Sequence, residues 1–295
     1  MELTINNLTK HYSSKIAVDN FEAVIGSGVH ALLGANGSGK TTLMRMLCDI
    51  LRPTNGRVKL DGTDITVMGE KYRELLGYLP QNFGYYPNFS GWDFMMYLAT
   101  LKGLPKITAF KKCEELLRLV GLYDVRRKKI KTYSGGMRQR IGIAQALIND
   151  PAILILDEPT AGLDPKERAK FRNIISDLSA NRIILLSTHI VSDIEYVAND
   201  IIIMKQGKLA LRDNINDICN IIKNSVWICI VPPSVAEKMK YEYTVSNLRH
   251  VDSQVELRII SDEKPCDNAI QSKPNLEDLY LYFFKEENIN ELNEI

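Results

Sequence analysis

Apolar and polar positions alternate along the early part of the chain, where "ELTINNL", "FEAVI" and "GRVKLDG" each carry side chains of one kind on every second residue. That period of two predicts half-buried antiparallel strands. Two other segments, "AILIL" and "IILL", are apolar without interruption and of strand length, and "VHALL" is apolar but for His30. A strand buried on both faces of a parallel sheet requires such a run. Helical spacing takes over in the middle, where "ITAFKKCEELLRLVGL" sets Phe110, Cys113, Leu116, Leu117 and Val120 on one predicted face and ends at Gly121. A second helix is predicted over "MRQRIGIAQAL", with Ile141, Ala144 and Leu147 or Ile148 turned one way.

Beyond the second pair of apolar runs, "DIIIMKQGKLALRD" reads as a hairpin turning at Gly207. The character then changes at about Ile215. "VWICIV", "YTVSNL" and "VELRIIS" read as strands, separated by Pro232-Pro233 and by the loop "SDEKPCDNAIQSKP". A last helix, "NLEDLYLYFF", opens on Asn275 as N-cap with Asp278 three residues on. Two regions are expected: an α/β region over 1–215 and a small α+β appendage over 216–295.

Composition changes this picture little: 45% hydrophobic and 25% charged residues suit a globular protein. A formal net charge of +1 gives no general attraction for nucleic acid or an anionic membrane. The five cysteines contain no CxxC pair and are odd in number, which fits a reducing, cytosolic setting better than a disulfide framework. No stretch approaches the roughly 20 apolar residues that cross a bilayer. The N-terminus lacks the apolar segment of a signal peptide, so the chain is expected not to span a membrane by itself.

Chemistry enters with "GANGSGKTT", Gly34 to Thr42, between the apolar run "VHALL" and the helical "TTLMRML". A glycine-rich bend joining a buried strand to a helix turns successive N–H groups inward, and the helix adds the positive end of its dipole. The ligand this predicts is a phosphate chain, with Lys40 reaching the β and γ phosphates and Thr41 a Mg²⁺ ion. "AILILDEP" ends in Asp157, suited to a metal, and Glu158, suited to polarising water. Gln81 follows a short predicted strand and His189 ends "LLSTH". Ser134-Gly135-Gly136 offers another helix N-terminus, which two readings fit: a plain cap or a second anion site. The run "RRKKIK", Arg126 to Lys131, is most simply a solvated basic face; proximity to lipid phosphates or attraction of nucleotide is the other reading.

Tyr12, "GANGSGKTT", Gln81, "YSGGM", "ILILDEP", "AGLD" and His189 follow one another in an order that resembles the nucleotide-binding subunit of an ATP-binding cassette (ABC) transporter. The likeness runs over residues 2–215. It implies a P-loop NTPase core with a mostly parallel sheet, an antiparallel β flap and a helical subdomain at about 84–150. Tyr12 would stack on adenine. Gly34, Asn36, Gly37, Ser38, Gly39, Lys40, Thr41 and Thr42 would wrap the phosphates of ATP, while Thr41, Gln81 and Asp157 would serve Mg²⁺. Glu158 would be the general base, His189 the γ-phosphate sensor, and Gln81 a further catalytic group. Ser134, Gly135 and Gly136 would cover the ATP of a second, facing nucleotide-binding subunit, with Asp164 joining the two sites.

The signature departs from the family's commonest form by Tyr133 for leucine and Met137 for glutamine. Tyr85, Tyr86, Phe89 and Trp92 lie where the family grips a transmembrane permease subunit at the cytoplasmic face of the membrane. The ending "NLEDLYLYFF" is similar to ATPases of ABC-2-type exporters, which move peptides, antibiotics, lipids or drugs. An importer ATPase would carry the same motifs. A soluble ABC ATPase acting on ribosome or DNA is a rival that the single phosphate loop and near-zero charge disfavour, and no nucleic-acid partner is expected.

Overall fold

The computed structural model describes residues 1–188 and 190–284, and of Asn216 its backbone. It divides into two compact units, Met1–Leu211 and Arg212–Ile295. The division falls four residues before the boundary expected from the change of character at Ile215, inside the second strand of the hairpin.

The first unit opens with an antiparallel sheet. Strands β1 (Leu3–Tyr12) and β2 (Lys15–Ile25) pair with each other, and β1 also pairs with β4 (Asn55–Leu60), which is followed by the short β5 (Thr63–Asp64). Alternation in the sequence is matched by burial: Leu3 and Ile5 are inside while Thr4 and Asn6 are not. Beside this flap lies a six-stranded sheet with β3 (Gly28–Leu33), β6 (Leu76–Leu79), β7 (Ile153–Asp157), β8 (Ile183–Ser187), β9 (Asp200–Lys205) and β10 (Lys208–Asp213), in the order β10-β9-β3-β8-β7-β6. The β3/β8, β3/β9, β7/β8 and β6/β7 pairs are parallel. Every residue of β3, β7 and β8 is buried, which explains their largely apolar runs; the polar residue inside β3, His30, pairs its Nδ1 with Asp200. Each fully buried Leu or Ile there contributes about 1.5–3 kcal/mol relative to exposure.

Helix α1 (Lys40–Leu47) follows β3 and seals Leu43, Met44, Met46 and Leu47 into the core between the two sheets. Short α2 (Ile65–Met68) and α3 (Glu70–Glu74) lead to β6, with Tyr72 wholly buried and its hydroxyl donating to Leu47 O at 2.6 Å. Between β6 and β7 come α4 (Gly91–Leu101), α5 (Lys106–Leu119) and α6 (Gly135–Ala146). Ser90 and Asp93 close a reciprocal capping box on α4. On α5 the expected face buries Cys113, Leu116 and Leu117, but Phe110 is half exposed and packs edge-on against Trp92, with ring centroids 4.8 Å apart. Helix α7 (Pro165–Leu178) precedes β8, and short α8 (Val191–Ile194) precedes β9.

In the second unit, α9 (Ile215–Asn220) leads into a sheet of β11 (Val226–Val231), β12 (Thr244–Val251), β13 (Gln254–Ile260) and β14 (Ile270–Gln271), ordered β12-β13-β11-β14 with all pairs antiparallel. Between β11 and β12 the chain forms α10 (Pro233–Glu242), a helix not expected from the sequence. Pro233 stands in its first turn, where a missing N–H costs nothing. Ala236 and Met239 of α10 pack with Cys229, Val231, Val255, Leu257 and Ile259 into a small core. Helix α11 (Leu276–Phe283) has the expected Asn275/Asp278 capping box. Asp278 is wholly buried, and Arg258 of β13 reaches it with Nη2 to Oδ2 at 2.6 Å.

Candidate functional site

Parallel strands end together, and in this sheet the carboxyl ends of β3 and β7 deliver the glycine-rich bend and the carboxylates to one place. A cavity of about 310 Å³ lies there, lined by Tyr12, Asn36, Gly37, Gly39, Lys40, Thr41, Thr42, Gln81, Asp157 and Glu158. These ten residues were singled out in the sequence; Lys15 and Ala17 of β2 complete the lining and were not. Gly34 and Ser38 stand behind the bend, both buried, and a Cβ on Gly34 would fall 2.5 Å from Met204 O and from Ser38 Oγ. His189 lies outside the described residues.

The bend requires glycine at Gly39. Gly39 has φ of +105°, and a Cβ there would lie 2.2 Å from Ala17 O. It is the N-cap of α1, and no side chain caps that helix. The first-turn amides of α1 are therefore left for a ligand, beside a lysine that is itself buried. Lys40 Nζ donates to Gly34 O at 2.6 Å and to Ala35 O at 3.0 Å, which folds its side chain back over the bend. Gly207 N–H donates to Ser38 O at 2.9 Å and fixes the bend to the β9–β10 turn.

Opposite this positive wall stand two carboxylates. In the parallel register Asp157 of β7 pairs with Ser187 of β8, and Ser187 Oγ donates to Asp157 Oδ1 at 2.6 Å. Among the described residues, buried Asp157 Oδ2 has no hydrogen-bond partner. A buried orphan carboxylate oxygen facing a polar cavity fits a hard cation. Among the described residues no three His, Cys, Asp or Glu side chains converge, so a cation here would need oxygens from a bound phosphate as well. The Asp157 charge reaches into the core: burial first, and that carboxylate second, hold the Cys48 thiol well above the usual thiol range.

Glu158 sits in the left-handed region with φ of +52°, a conformation a glutamate adopts at a cost. Its N–H is held by Ser187 O at 3.2 Å and Ser187 Oγ at 3.0 Å, and Gln139 Nε2 of α6 donates to its carbonyl at 3.3 Å. Ser187 therefore sets both carboxylate residues. Its sequence signal was faint, a lone hydroxyl ending an apolar run, and only the strand register gives it meaning. Together these groups can hold a polyphosphate and a divalent cation, with a carboxylate beside them to take a proton from water.

Ser134, Gly135, Gly136 and Asp164 do not line this cavity. Ser134 caps α6, its Oγ accepting from Met137 N–H at 3.2 Å, and Ser134 and Gly135 are exposed. A Cβ on Gly135 would meet open space, whereas one on Gly136 would lie 2.1 Å from Glu167 Oε2. Tyr133 is buried, and its hydroxyl donates to Val125 O at 3.1 Å, so an aromatic in place of leucine is absorbed by the helical region. Asp164 is exposed and caps α7, with Oδ1 accepting from Glu167 N–H at 2.8 Å. Of the aromatics after Gln81, Tyr86 and Phe89 stack at 4.8 Å, Tyr85 accepts from Arg138 Nη1 at 3.0 Å, and Trp92 turns to Phe110. Arg126 Cζ stands over the Tyr123 ring, 3.7 Å from its centroid, so the basic run is not wholly solvated.

Comparison with known proteins agrees with this arrangement. The profile of the ABC transporter family matches residues 22–161. An uncharacterized ABC transporter ATP-binding protein, YxlF of Bacillus subtilis, is 38% identical over 245 residues, 81% of this chain and 78% of its own. The bacitracin transport ATP-binding protein BcrA of Enterococcus faecalis is 37% identical over 72% of this chain and 69% of its own. The dimeric post-hydrolysis structure of the cassette MJ0796 bound to ADP and Pi superposes with a TM-score of 0.66 at 25% identity, over 72% of this chain and 98% of that one. With P-loop geometry, paired strand-end carboxylates and these relatives in agreement, the chain belongs to the ABC transporter family, as an ATP-binding protein with ATPase activity.

Proposed function

We propose that the chain is the motor subunit of an ABC exporter, closing with a second nucleotide-binding subunit around two ATP molecules at the cytoplasmic face of a membrane. The observation that carries this reading is the buried, unpartnered Asp157 Oδ2 beside Glu158, across one cavity from Lys40 and the uncapped start of α1. Tyr12 supports adenine, Lys40 and the Gly34–Thr42 bend bind the phosphates, and Glu158 takes the proton of the attacking water. Thr41, Gln81 and Asp157 would hold Mg²⁺, whose chemistry is to neutralise charge building on the phosphates. His189 senses the γ-phosphate.

Exposed Ser134 and Gly135 at the start of α6 suit an anion brought by another subunit, and Asp164 suits the joint between two sites. The dimeric cassette found among the structural neighbours supports that arrangement. No helix of the described residues is long and apolar enough to cross a membrane, so translocation would fall to separate transmembrane permease subunits. Export of a peptide, antibiotic, lipid or drug is the direction favoured, because two bacitracin transport ATP-binding proteins, 37% and 36% identical, stand among the relatives. Residues 1–215 would be the cassette and 216–295 an accessory domain, a reading the division into Met1–Leu211 and Arg212–Ile295 supports.

Glu158→Gln tests the mechanism. It keeps shape and removes the base, so ATP binding persists while turnover falls by about 10²- to 10⁴-fold, the share general-base catalysis commonly supplies. ATP hydrolysis at an undiminished rate would remove Glu158 from the mechanism.

A further inference from the structure

We infer that Arg140 and Glu167 are positioning residues: their ion pair ties the start of α6 to the Asp164 turn, so that both reach the ATP of the facing subunit as one piece. The inference rests on the shared site proposed above and adds two residues to it.

The pair joins helices that lie apart in the chain. Arg140 stands on α6, six residues beyond Ser134, and Glu167 stands in the first turn of α7, three residues after its cap Asp164. Arg140 Nη2 meets Glu167 Oε1 at 2.6 Å, and the two side chains are only 17% and 19% exposed. Arg140 Nη1 donates to Val120 O at 3.0 Å, at the end of α5. One guanidinium therefore engages three helices through a rigid planar fork.

Glu167 has a further role at the start of α6. Its Oε2 lies so close to the backbone of Gly136 that a Cβ there would fall 2.1 Å away. Its N–H donates to Asp164 Oδ1 at 2.8 Å. The spacing of Asp164 and Glu167 would suit a capping box, yet the carboxylate turns across to α6 instead. Gly136 thus makes room for a carboxylate of its own chain, while Ser134 and Gly135 stay exposed to an incoming phosphate.

Packing alone leaves this seam loose. A cavity of about 250 Å³ opens between α5, α6 and α7, lined by Arg140, Glu167, Leu119, Ile143, Phe171 and Ile174 among others. Side chains that border a void lack contacts on one side and fix a spacing weakly. A mostly buried ion pair with directed, charge-assisted bonds fixes it in one geometry.

The test uses the full-length chain. Arg140→Met combined with Glu167→Gln removes both charges, so that no lone ion is left buried, and denaturant unfolding checks the fold. ATP binding by calorimetry should be unchanged, because the chain's own bend is untouched, while turnover falls by about 10- to 100-fold through misplacement of α6. Glu167→Gln alone keeps the shape and a hydrogen bond to Arg140, so its turnover should fall less. Mixing then reads where the defect acts. With Lys40→Ala, which spoils the bend but keeps a sound α6, the double variant should regain activity above the sum of the separate rates. With Gly135→Asp, which spoils the α6 start, it should not. Full turnover in the double variant would overturn the inference. So would recovery with Gly135→Asp instead of Lys40→Ala, or recovery with neither, as a general structural defect gives. If Lys40→Ala and Gly135→Asp fail to complement each other, the shared site falls and takes the inference with it; if they do complement while the double variant turns over fully, the inference falls alone.

Discussion

Two helices of the first unit begin on glycine-rich bends, yet they begin differently. Helix α1 starts on Gly39 with no side-chain cap, over a buried lysine and against two buried carboxylate residues. Helix α6 starts on Ser134, which caps it, and its Ser134-Gly135 edge faces solvent. The first site assembles its groups from β1, β2, β3, β6 and β7 of one chain around a cavity. The second presents an anion-seeking helix end to the outside. A helix start that lacks its own cap and is walled in implies a ligand held by that chain; one that is capped and bare implies a ligand carried by something else.

Lys40→Ala is the largest break on the first side. Removing a charge-assisted contact of about 1.5–3 kcal/mol should weaken ATP binding by about 10- to 100-fold. Calorimetry checks it, and unchanged affinity would count against the bend as the phosphate site. On the second side, Gly135→Asp places a carboxylate at the start of α6. The site has room for a Cβ, and an acid in a helix's first turn is favourable, so folding should be untouched. Binding of ATP to the isolated chain should then be normal while turnover falls by about 10²-fold, because the added charge repels an incoming phosphate. Ser187→Ala is the subtlest. Removing the hydroxyl that donates to Asp157 and accepts from Glu158 should cost about 1–3 kcal/mol of stability by denaturant unfolding.

The contrast was partly legible in the sequence. The phosphate bend could be found because a strand, a bend and a helix are contiguous, and because Gly39 admits no other residue. Asp157 and Glu158 were found because an apolar run ends in them. Ser187 was not, since it reaches Asp157 through the parallel β7/β8 register, which no local pattern records, and Lys15 and Ala17 were not, because they enter beside Tyr12 across the β1/β2 hairpin with no motif that marks them. Helix α10 escaped notice because Pro232-Pro233 reads as a break, whereas the second proline opens the helix. Phe110 shares its helical face with core residues but sits half exposed over Trp92, beyond what periodicity resolves. Tyr133 looked like a departure from pattern until its hydroxyl was seen to satisfy Val125 O.

Mixing the two defective proteins decides whether the two helix starts act on one ATP. Lys40→Ala keeps an intact α6 start and Gly135→Asp keeps an intact α1 bend, so a mixed dimer contains one sound pairing of the two. ATPase activity of the equimolar mixture should rise well above the sum of the separately measured rates. A mixture that stays at that sum would contradict a site shared between subunits.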